Sequence, residues 1–491
     1  MARLTDLADE LLSLIFSHLD QPSLASLALV ASRCYDVAQE MLFQKVSVLA
    51  DNDREREWVV SLVSTLSRRA DLAAKIRQLS FHITSGQFSK TSVSKEHVSA
   101  ALRFVSSVKD MDEEELLEHA DQYPDETWYG GIPDGAVTPY LAVLLGLVPN
   151  LERVNMVDRR EGEECFSLPA LFGAPENDCD DIPNIDAFTG LRSLHTLRIH
   201  GHNFLLATWY MLPNLRRLEL DCYQNYFGME IDTQAHHEPD LEVLHTVLVR
   251  CSTLLLLPLD KREVYSEDGG WWDARSPFQS LRYFTLPECL EIEIINVARL
   301  RLDDSTETDS MINDGFIVNE SNPGSFAIFF EEMQALKRTL KTSKSLSIRV
   351  NKNDKLDDGL DFMAPANSLA FLTSTKELTI PRQVILHPKD SAQGDSRPNL
   401  AEFLPTKLET LCVLEPDFRI LAWFKQILDV RHIFSAFTKL YLEFENDAAC
   451  EELEAHCRIA DHTGEQFRAM GIDVLCRCHG RSFVPWNMSI G

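Results

Sequence analysis

Positive charge is in short supply. Forty-seven Lys and Arg face seventy-six Asp and Glu, a formal net charge of −29. Nucleic-acid backbones and anionic membranes are bound through basic patches, so general binding to either is disfavoured. Long hydrophobic runs are also missing. The longest, at 140–148, has nine residues, whereas a membrane-spanning helix needs roughly 18 or more. Glycine (20) and proline (21) are too few for a collagen-like or low-complexity chain. The eleven cysteines are an odd number, scattered from Cys34 to Cys478. A disulfide framework concentrates paired cysteines in a small secreted chain, so these read as reduced thiols of a cytoplasmic or nuclear protein. Arg3, Asp6, Asp9 and Glu10 leave no room for a signal-peptide hydrophobic stretch.

Chemical motifs are equally sparse. No Gly-x-x-x-x-Gly-Lys-Ser/Thr loop, Gly-x-Gly-x-x-Gly turn or Gly-x-Ser-x-Gly elbow occurs. Cys457, Cys476, Cys478 and His479 lack the paired Cys spacing by which a loop returns two thiolates to one zinc ion. The pair His236-His237 cannot place both imidazoles on one helix face. No metal, cofactor or catalytic residue is expected. Gly269-Gly270-Trp271-Trp272-Asp273 stands out as a loop whose tryptophans anchor it to the core or meet a partner.

What is present is an ordinary globular composition, 45% hydrophobic and 25% charged, over 491 residues. At ~150 residues per domain this is about three domains, or one small module and a large one. The small module is at the N-terminus. Leu11, Leu14, Ile15, His18 and Leu19 recur at helical spacing, with Asp6, Asp9 and Glu10 complementing the positive end of the helix dipole. Asp20-Gln21-Pro22 interrupts, and Pro22 suits the first turn of a second helix because its missing N–H costs nothing there. Leu24, Leu27, Ala28 and Ala31 form a second stripe; Val37, Ala38, Met41 and Leu42 form a third. A helical unit of about 40 residues is too small to be comfortably stable alone, so surplus apolar surface should dock elsewhere.

This segment resembles the F-box, the motif by which receptor subunits bind the Skp adaptor of cullin-based ubiquitin ligases. The resemblance rests on Leu7-Ala8-Asp9-Glu10-Leu11, then Ile15, Leu19, Pro22, Leu24, Leu27 and Val30 in the family's order, followed by Ser32-Arg33-Cys34-Tyr35. Ala8 stands at the family's proline, and Cys34 at its usual aromatic. The resemblance implies an adaptor-binding face of Leu7, Glu10, Leu11, Ile15, Leu19, Pro22, Leu24, Leu27 and Val30.

Beyond a helix expected over 52–67, one phrase recurs: aliphatic, two residues, aliphatic, one residue, aliphatic. Copies are Ile76-Leu79-Phe81, Leu151-Val154-Met156, Leu194-Leu197-Ile199, Leu215-Leu218-Leu220, Leu244-Val247-Val249, Leu281-Phe284-Leu286, Val297-Leu300-Leu302, Leu408-Leu411-Val413 and Phe437-Leu440-Leu442. Leu346-Ile348 and Leu378-Ile380 are shorter echoes. Residues two apart on a strand point the same way, so the last two aliphatics face one core. No such strand buries its apolar face alone, and copies must stack. Helices expected over 100–108, 113–120, 327–340, 421–428 and 448–460 return the chain. Spacing between copies is irregular against the ~20–29 residues of ideal leucine-rich repeats. The excess falls in polar insertions at 161–186, 303–324, 351–367 and 387–399. A non-repetitive α/β domain with Leu-rich strands is the alternative.

The expected fold is α/β: an F-box over 4–48, a helical connector over 49–69, an irregular leucine-rich-repeat-like solenoid of parallel strands over 70–480, and a tail over 481–491. This layout resembles the large F-box family of filamentous fungi. It implies a non-catalytic receptor that joins the Skp adaptor, and through it a cullin core, to a protein target. A binding protein that uses the adaptor outside any ligase, and an enzyme in the C-terminal region, are the rivals. The residues between and beyond the core aliphatics are Arg198, His200, Arg217, Glu219, Asp221, Tyr283, Arg299 and Arg301. By strand alternation they should share the outward face and meet either the target, with acidic or phosphorylated groups favoured, or one another.

Overall fold

The computed structural model describes residues 7–50, 52–83, 93–122, 128–158, 188–201, 212–222, 245–252, 263–265, 271–273, 288–295, 326–334, 340, 343–351, 365–386, 399–459, 463–478 and 484–485. The chain divides into two compact units, the first running to Glu219 and the second beginning at Leu220.

The first unit opens with three helices, α1 (Asp9–Phe16), α2 (Gln21–Ala28) and α3 (Ser32–Gln44). Asp20 caps α2, its carboxylate accepting from the Ser23 N–H at 3.0 Å, and Pro22 sits in the first turn, as the spacing predicts. The core of this module is Leu12, Phe16, Leu24, Cys34, Val37 and Ala38, with Leu7, Leu19, Leu27, Ala28, Ala31, Met41 and Leu42 packed against it. The inward stripe of α1 is therefore Leu12–Phe16. The aliphatics of the Leu11, Leu14, Ile15 stripe face outward.

α3 runs directly into strand β1 (Lys45–Ala50). Then come α4 (Asp53–Arg68), capped by Asn52, α5 (Ala70–Ala73), β2 (Gln78–Ile83), α6 (Lys95–Lys109), α7 (Glu113–Gln122), α8 (Val137–Leu147), β3 (Arg153–Asp158), β4 (Thr196–Gly201) and β5 (Arg217–Cys222), in which the unit boundary falls. The apolar run around Tyr140 is α8, buried on every side, as a helix without a polar face must be. In α4 the packed face is Val59, Val60, Val63 and Leu66, while Trp58 is exposed. β1 to β4 pair successively and in parallel, with Leu79, Val154 and Leu197 in register, as are Phe81, Met156 and Ile199. These are the core positions that the recurring phrase marks.

The second unit holds β6 (Thr246–Ser252), an antiparallel pair β7 (Glu263–Tyr265) and β8 (Trp271–Asp273), β9 (Cys289–Ile295), helix α9 (Phe326–Gln334), β10 (Ser345–Asn351), β11 (Glu377–Pro381), α10 (Leu400–Phe403), β12 (Thr410–Leu414), α11 (Ile420–Asp429), β13 (Lys439–Phe444), α12 (Asp447–Ile459), α13 (Thr463–Ala469), β14 (Asp473–Cys478) and β15 (Val484–Pro485). From β6 through β9 to β14 each strand pairs in parallel with the next, and β15 closes on β14 antiparallel. Trp271-Trp272-Asp273, read as loop from its glycines, is a strand. Neighbouring β9 carries the core alternation Leu290-Ile292-Ile294. The phrase copies at 281–286 and 297–302, and the polar insertions at 161–186, 303–324 and all but the ends of 351–367 and 387–399, lie outside the described residues.

One device repeats in both units. At several strands the residue just before the strand offers its carbonyl to two successive N–H groups entering the next. Arg77 O accepts from Glu152 and Arg153, Glu152 O from His195 and Thr196, and His195 O from Arg216 and Arg217. In the second unit Glu288 O accepts from Lys344 and Ser345, Lys344 O from Lys376 and Glu377, and Lys376 O from Glu409 and Thr410. Each repeat thereby fixes the register of the next, satisfying main-chain groups at the strand entrance. Side chains follow the same line: Lys376 pairs with Glu409 at 2.6 Å, and Glu288 with Lys344. These contacts pull the Glu288 carboxyl down and push the Lys376 ammonium up. The fold is thus a small helical module followed by solenoid-like stacks of parallel strands with helices on the return side.

Candidate functional site

Among the described residues, the N-terminal module carries most of the exposed large aliphatics. Leu11, Leu14 and Ile15 on α1 are 48%, 61% and 41% exposed, and Leu29 and Val30 after α2 are 88% and 70% exposed. The geometry has local causes. Leu12 and Phe16, four apart, claim the inward face of α1, so positions one residue before and two after Leu12 turn out. α2 stops at Ala28, and the turn is held by Leu29 N–H to Ser26 O at 3.2 Å and Val30 N–H to Leu27 O at 3.0 Å. Arg33 Nε donates to Asp9 Oδ1 at 2.9 Å, which brings the α2–α3 turn against the first turn of α1. Five exposed aliphatics fall within about 20 residues, and such a concentration of exposed apolar side chains marks a candidate interaction site.

Of the nine positions expected to meet the adaptor, Glu10, Leu11, Ile15, Pro22 and Val30 are exposed, Leu7, Leu19 and Leu27 are half-buried, and Leu24 lies in the core. Leu14 and Leu29 belong to the exposed set and are absent from that expectation. The Asp20 carboxyl is held below its usual range by hydrogen bonds from the Ser23 hydroxyl and N–H, which keeps it ionised as the cap that starts α2. Because Gln44 ends α3 and Lys45 begins β1, no linker separates this module from the first strand. Gln44 O also accepts from Arg77 N–H at 3.0 Å, one step ahead of β2.

The outward face of the strands is the second region. Arg198 is half-buried on β4 between core residues Leu197 and Ile199, in register with Asn155, which is itself in register with Ser80. Arg217 and Glu219, two apart on β5, form an ion pair at 2.7 Å. His200 and Asp221 lie two positions further along the same strands. Tyr283, Arg299 and Arg301 lie outside the described residues.

Sequence reasoning missed the outward charges of the second unit. Glu443 on β13, its side chain only 9% exposed, receives Arg477 from β14 at 2.7 Å and Arg349 from β10 at 3.3 Å. Burial works to raise the Glu443 carboxyl, but the two guanidinium hydrogen bonds outweigh it and the group is held below its usual range. Asp417 is shared by Arg382 at 3.1 Å and Arg419 at 2.8 Å. Cys412, on the same outward face, is pushed up to about 12, chiefly by burial and then by Glu443. A thiol so protonated at neutral pH is a poor nucleophile. No group of three or more metal-ligating side chains occurs among the described residues, and no described helix is long and apolar enough to cross a membrane.

Residues 4–45 match the family model of the F-box domain. A search of curated proteins finds no match.

Proposed function

We propose that this F-box chain is the receptor subunit of a Skp–cullin ubiquitin ligase, holding the Skp adaptor with its N-terminal module and a protein target with its strand region. F-box domains bind Skp-type adaptors, and the match over residues 4–45 supports that half of the reading. The observation that carries it is the outward aliphatic face of Leu11, Leu14, Ile15, Leu29 and Val30 on a domain of that family. Around it Leu7, Glu10, Leu19, Pro22 and Leu27 form the rim, and Leu24 holds the helices beneath. On this reading the F-box takes 4–48, a helical connector 49–69, target-binding repeats 70–480 and a tail 481–491.

The mechanism is non-catalytic. An adaptor face joined to β1 without a linker holds the ligase core on the same chain as the target. Tethering turns an encounter of two diffusing proteins into an intramolecular one, and orientation adds to that gain. The target surface is the outward face of the strands, with Arg198, His200, Arg217, Glu219, Asp221, Tyr283, Arg299 and Arg301 as its first-unit and mid-chain part. The site of action is cytoplasmic or nuclear, where Skp–cullin ligases work.

Affinity capture of the full chain from its own cells tests this. Skp adaptor and cullin should both be recovered. Adaptor without cullin would place the protein outside any ligase, and neither would overturn the reading.

A further inference from the structure

In the second unit the residues of successive strands line up in rows across the sheet. Arg250 on β6 is in register with Glu293 on β9, and Glu293 with Arg349 on β10. Pro381 on β11 pairs with Leu414 on β12, Leu414 with Glu443 on β13, and Glu443 with Arg477 on β14. The pairing of β10 with β11 runs from Ser345–Glu377 to Ser347–Thr379, and the same offset continued two residues further sets Arg349 opposite Pro381. The row therefore reads Arg, Glu, Arg, Pro, Leu, Glu, Arg. Arginine stands at both ends and at the third place, in a chain whose net charge is −29.

The Glu443 carboxylate has two guanidinium partners of unequal quality. Arg477 donates through Nη2 to Oε2 at 2.7 Å, a charge-assisted distance. Arg349 sits at 3.3 Å and 3.4 Å from the two oxygens, reaching from β10 past β11 and β12. Strands lie about 4.8 Å apart, so Arg349 must stretch along the row across the positions of Pro381 and Leu414. Its side chain is nevertheless 45% exposed, against 9% for Glu443. Arg349 is thus the long, solvent-facing, more weakly held member of the cluster, and Glu443 keeps its stronger partner when Arg349 leaves.

We propose that Arg349 is an oxyanion-capturing residue of the target-binding face, exchanging its long contact with Glu443 for a carboxylate or phosphate on a partner polypeptide. The planar fork of arginine matches either group bidentately. Glu443 is a built-in competitor: it holds the fork in place until an oxyanion of better geometry arrives. The neighbouring pair Arg382 and Arg419, sharing Asp417 beyond the ends of β11 and β12, adds positive charge at the same end of these strands. This rests on the reading of the strand region as target-binding, and not on the adaptor.

The test uses the purified full-length chain and three immobilised degenerate peptide libraries, with a fixed central phosphoserine, a fixed glutamate or a fixed serine. Retention on the phosphoserine library, the glutamate library or both should exceed that on serine, and which of them does identifies the oxyanion. Arg349→Gln should lower that retention about tenfold or more, with Arg349→Lys intermediate because charge remains while the fork is lost. Glu443→Gln should raise it severalfold by removing the competitor. Thermal melts of each variant separate these outcomes from unfolding, and Arg349→Gln, at an exposed side chain, should melt near wild type. Adaptor capture by the same preparations reports the F-box separately, so failure of one reading leaves the other standing. Equal retention on all three libraries, unchanged retention by a folded Arg349→Gln, or loss on a folded Glu443→Gln overturns the proposal.

Discussion

Helix α1 offers two neighbouring pairs of large side chains with opposite expected roles, and exchanging each for alanine separates docking from folding. Leu12 and Phe16 are fully buried. Truncating them removes about 2–5 kcal/mol for the leucine and about 3–5 kcal/mol for the phenylalanine. A single domain has only about 5–15 kcal/mol in all, so Leu12→Ala with Phe16→Ala should unfold the helical module and abolish adaptor binding for that reason. Leu11 and Ile15 keep nearly half of their surface in water. At about 1.5–3 kcal/mol for full burial of such a side chain, truncation costs the fold only about 1 kcal/mol each. At the centre of an adaptor interface the same truncations cost above ~1 kcal/mol each, or about 2–4 kcal/mol together, a loss of about 30- to 700-fold in Kd. Titration calorimetry against purified Skp adaptor, paired with thermal melts, reads both quantities. The expected result for Leu11→Ala with Ile15→Ala is a small shift in melting temperature and a large loss of affinity. A melt as damaged as that of the buried pair would refute the outward orientation of these side chains. Unchanged affinity in a folded variant would refute the docking face.

Two other perturbations address the region beyond the helical module. Gly190 lies where an added Cβ would run into the carbonyl of Val148, and Gly146 where it would enter the Phe104 ring; Gly190→Ala should cost about 1–3 kcal/mol and more than Gly146→Ala, because a backbone oxygen yields less than the end of a ring, and chemical denaturation of both variants checks the order. The Glu443 carboxyl is held below its usual value of 4.5 in the folded state, so its contribution to stability is complete above that value and fades as pH falls below it. Acid titration from about pH 5 to 3 should therefore unfold wild type more steeply than Glu443→Gln, and parallel curves would show that the carboxylate contributes nothing to acid sensitivity.

The N-terminal module was legible because its signals are local. Pro22 and Asp20 mark the start of α2, and the order of apolar residues carries the F-box resemblance, which the family match bears out. The strands were legible for the same reason: Leu79 and Phe81, Val154 and Met156, and Leu411 and Val413 alternate as a buried strand face must, and each pair is buried. Periodicity names a stripe without saying which way it faces. On α1 both Leu11–Ile15 and Leu12–Phe16 are four apart, and only packing against α3 decided that the second pair goes inward. The short strand at Trp271 was hidden behind glycines, since its partner at Glu263–Tyr265 is a pairing that spacing does not announce.

The amino-acid order by itself placed the F-box, several helices and the strand cores that the recurring phrase marks, since helix caps, turns and two-residue alternation act over a few positions; it did not announce α8, β9 or β14. Tertiary structure alone decided the register of one strand on the next. That register lines Arg349, Glu443 and Arg477 in one row although they are far apart in the chain. It is set by carbonyls such as Glu288 O and Lys376 O bonding to the following repeat, through main-chain groups that every residue type except proline carries alike and that leave no mark in the sequence.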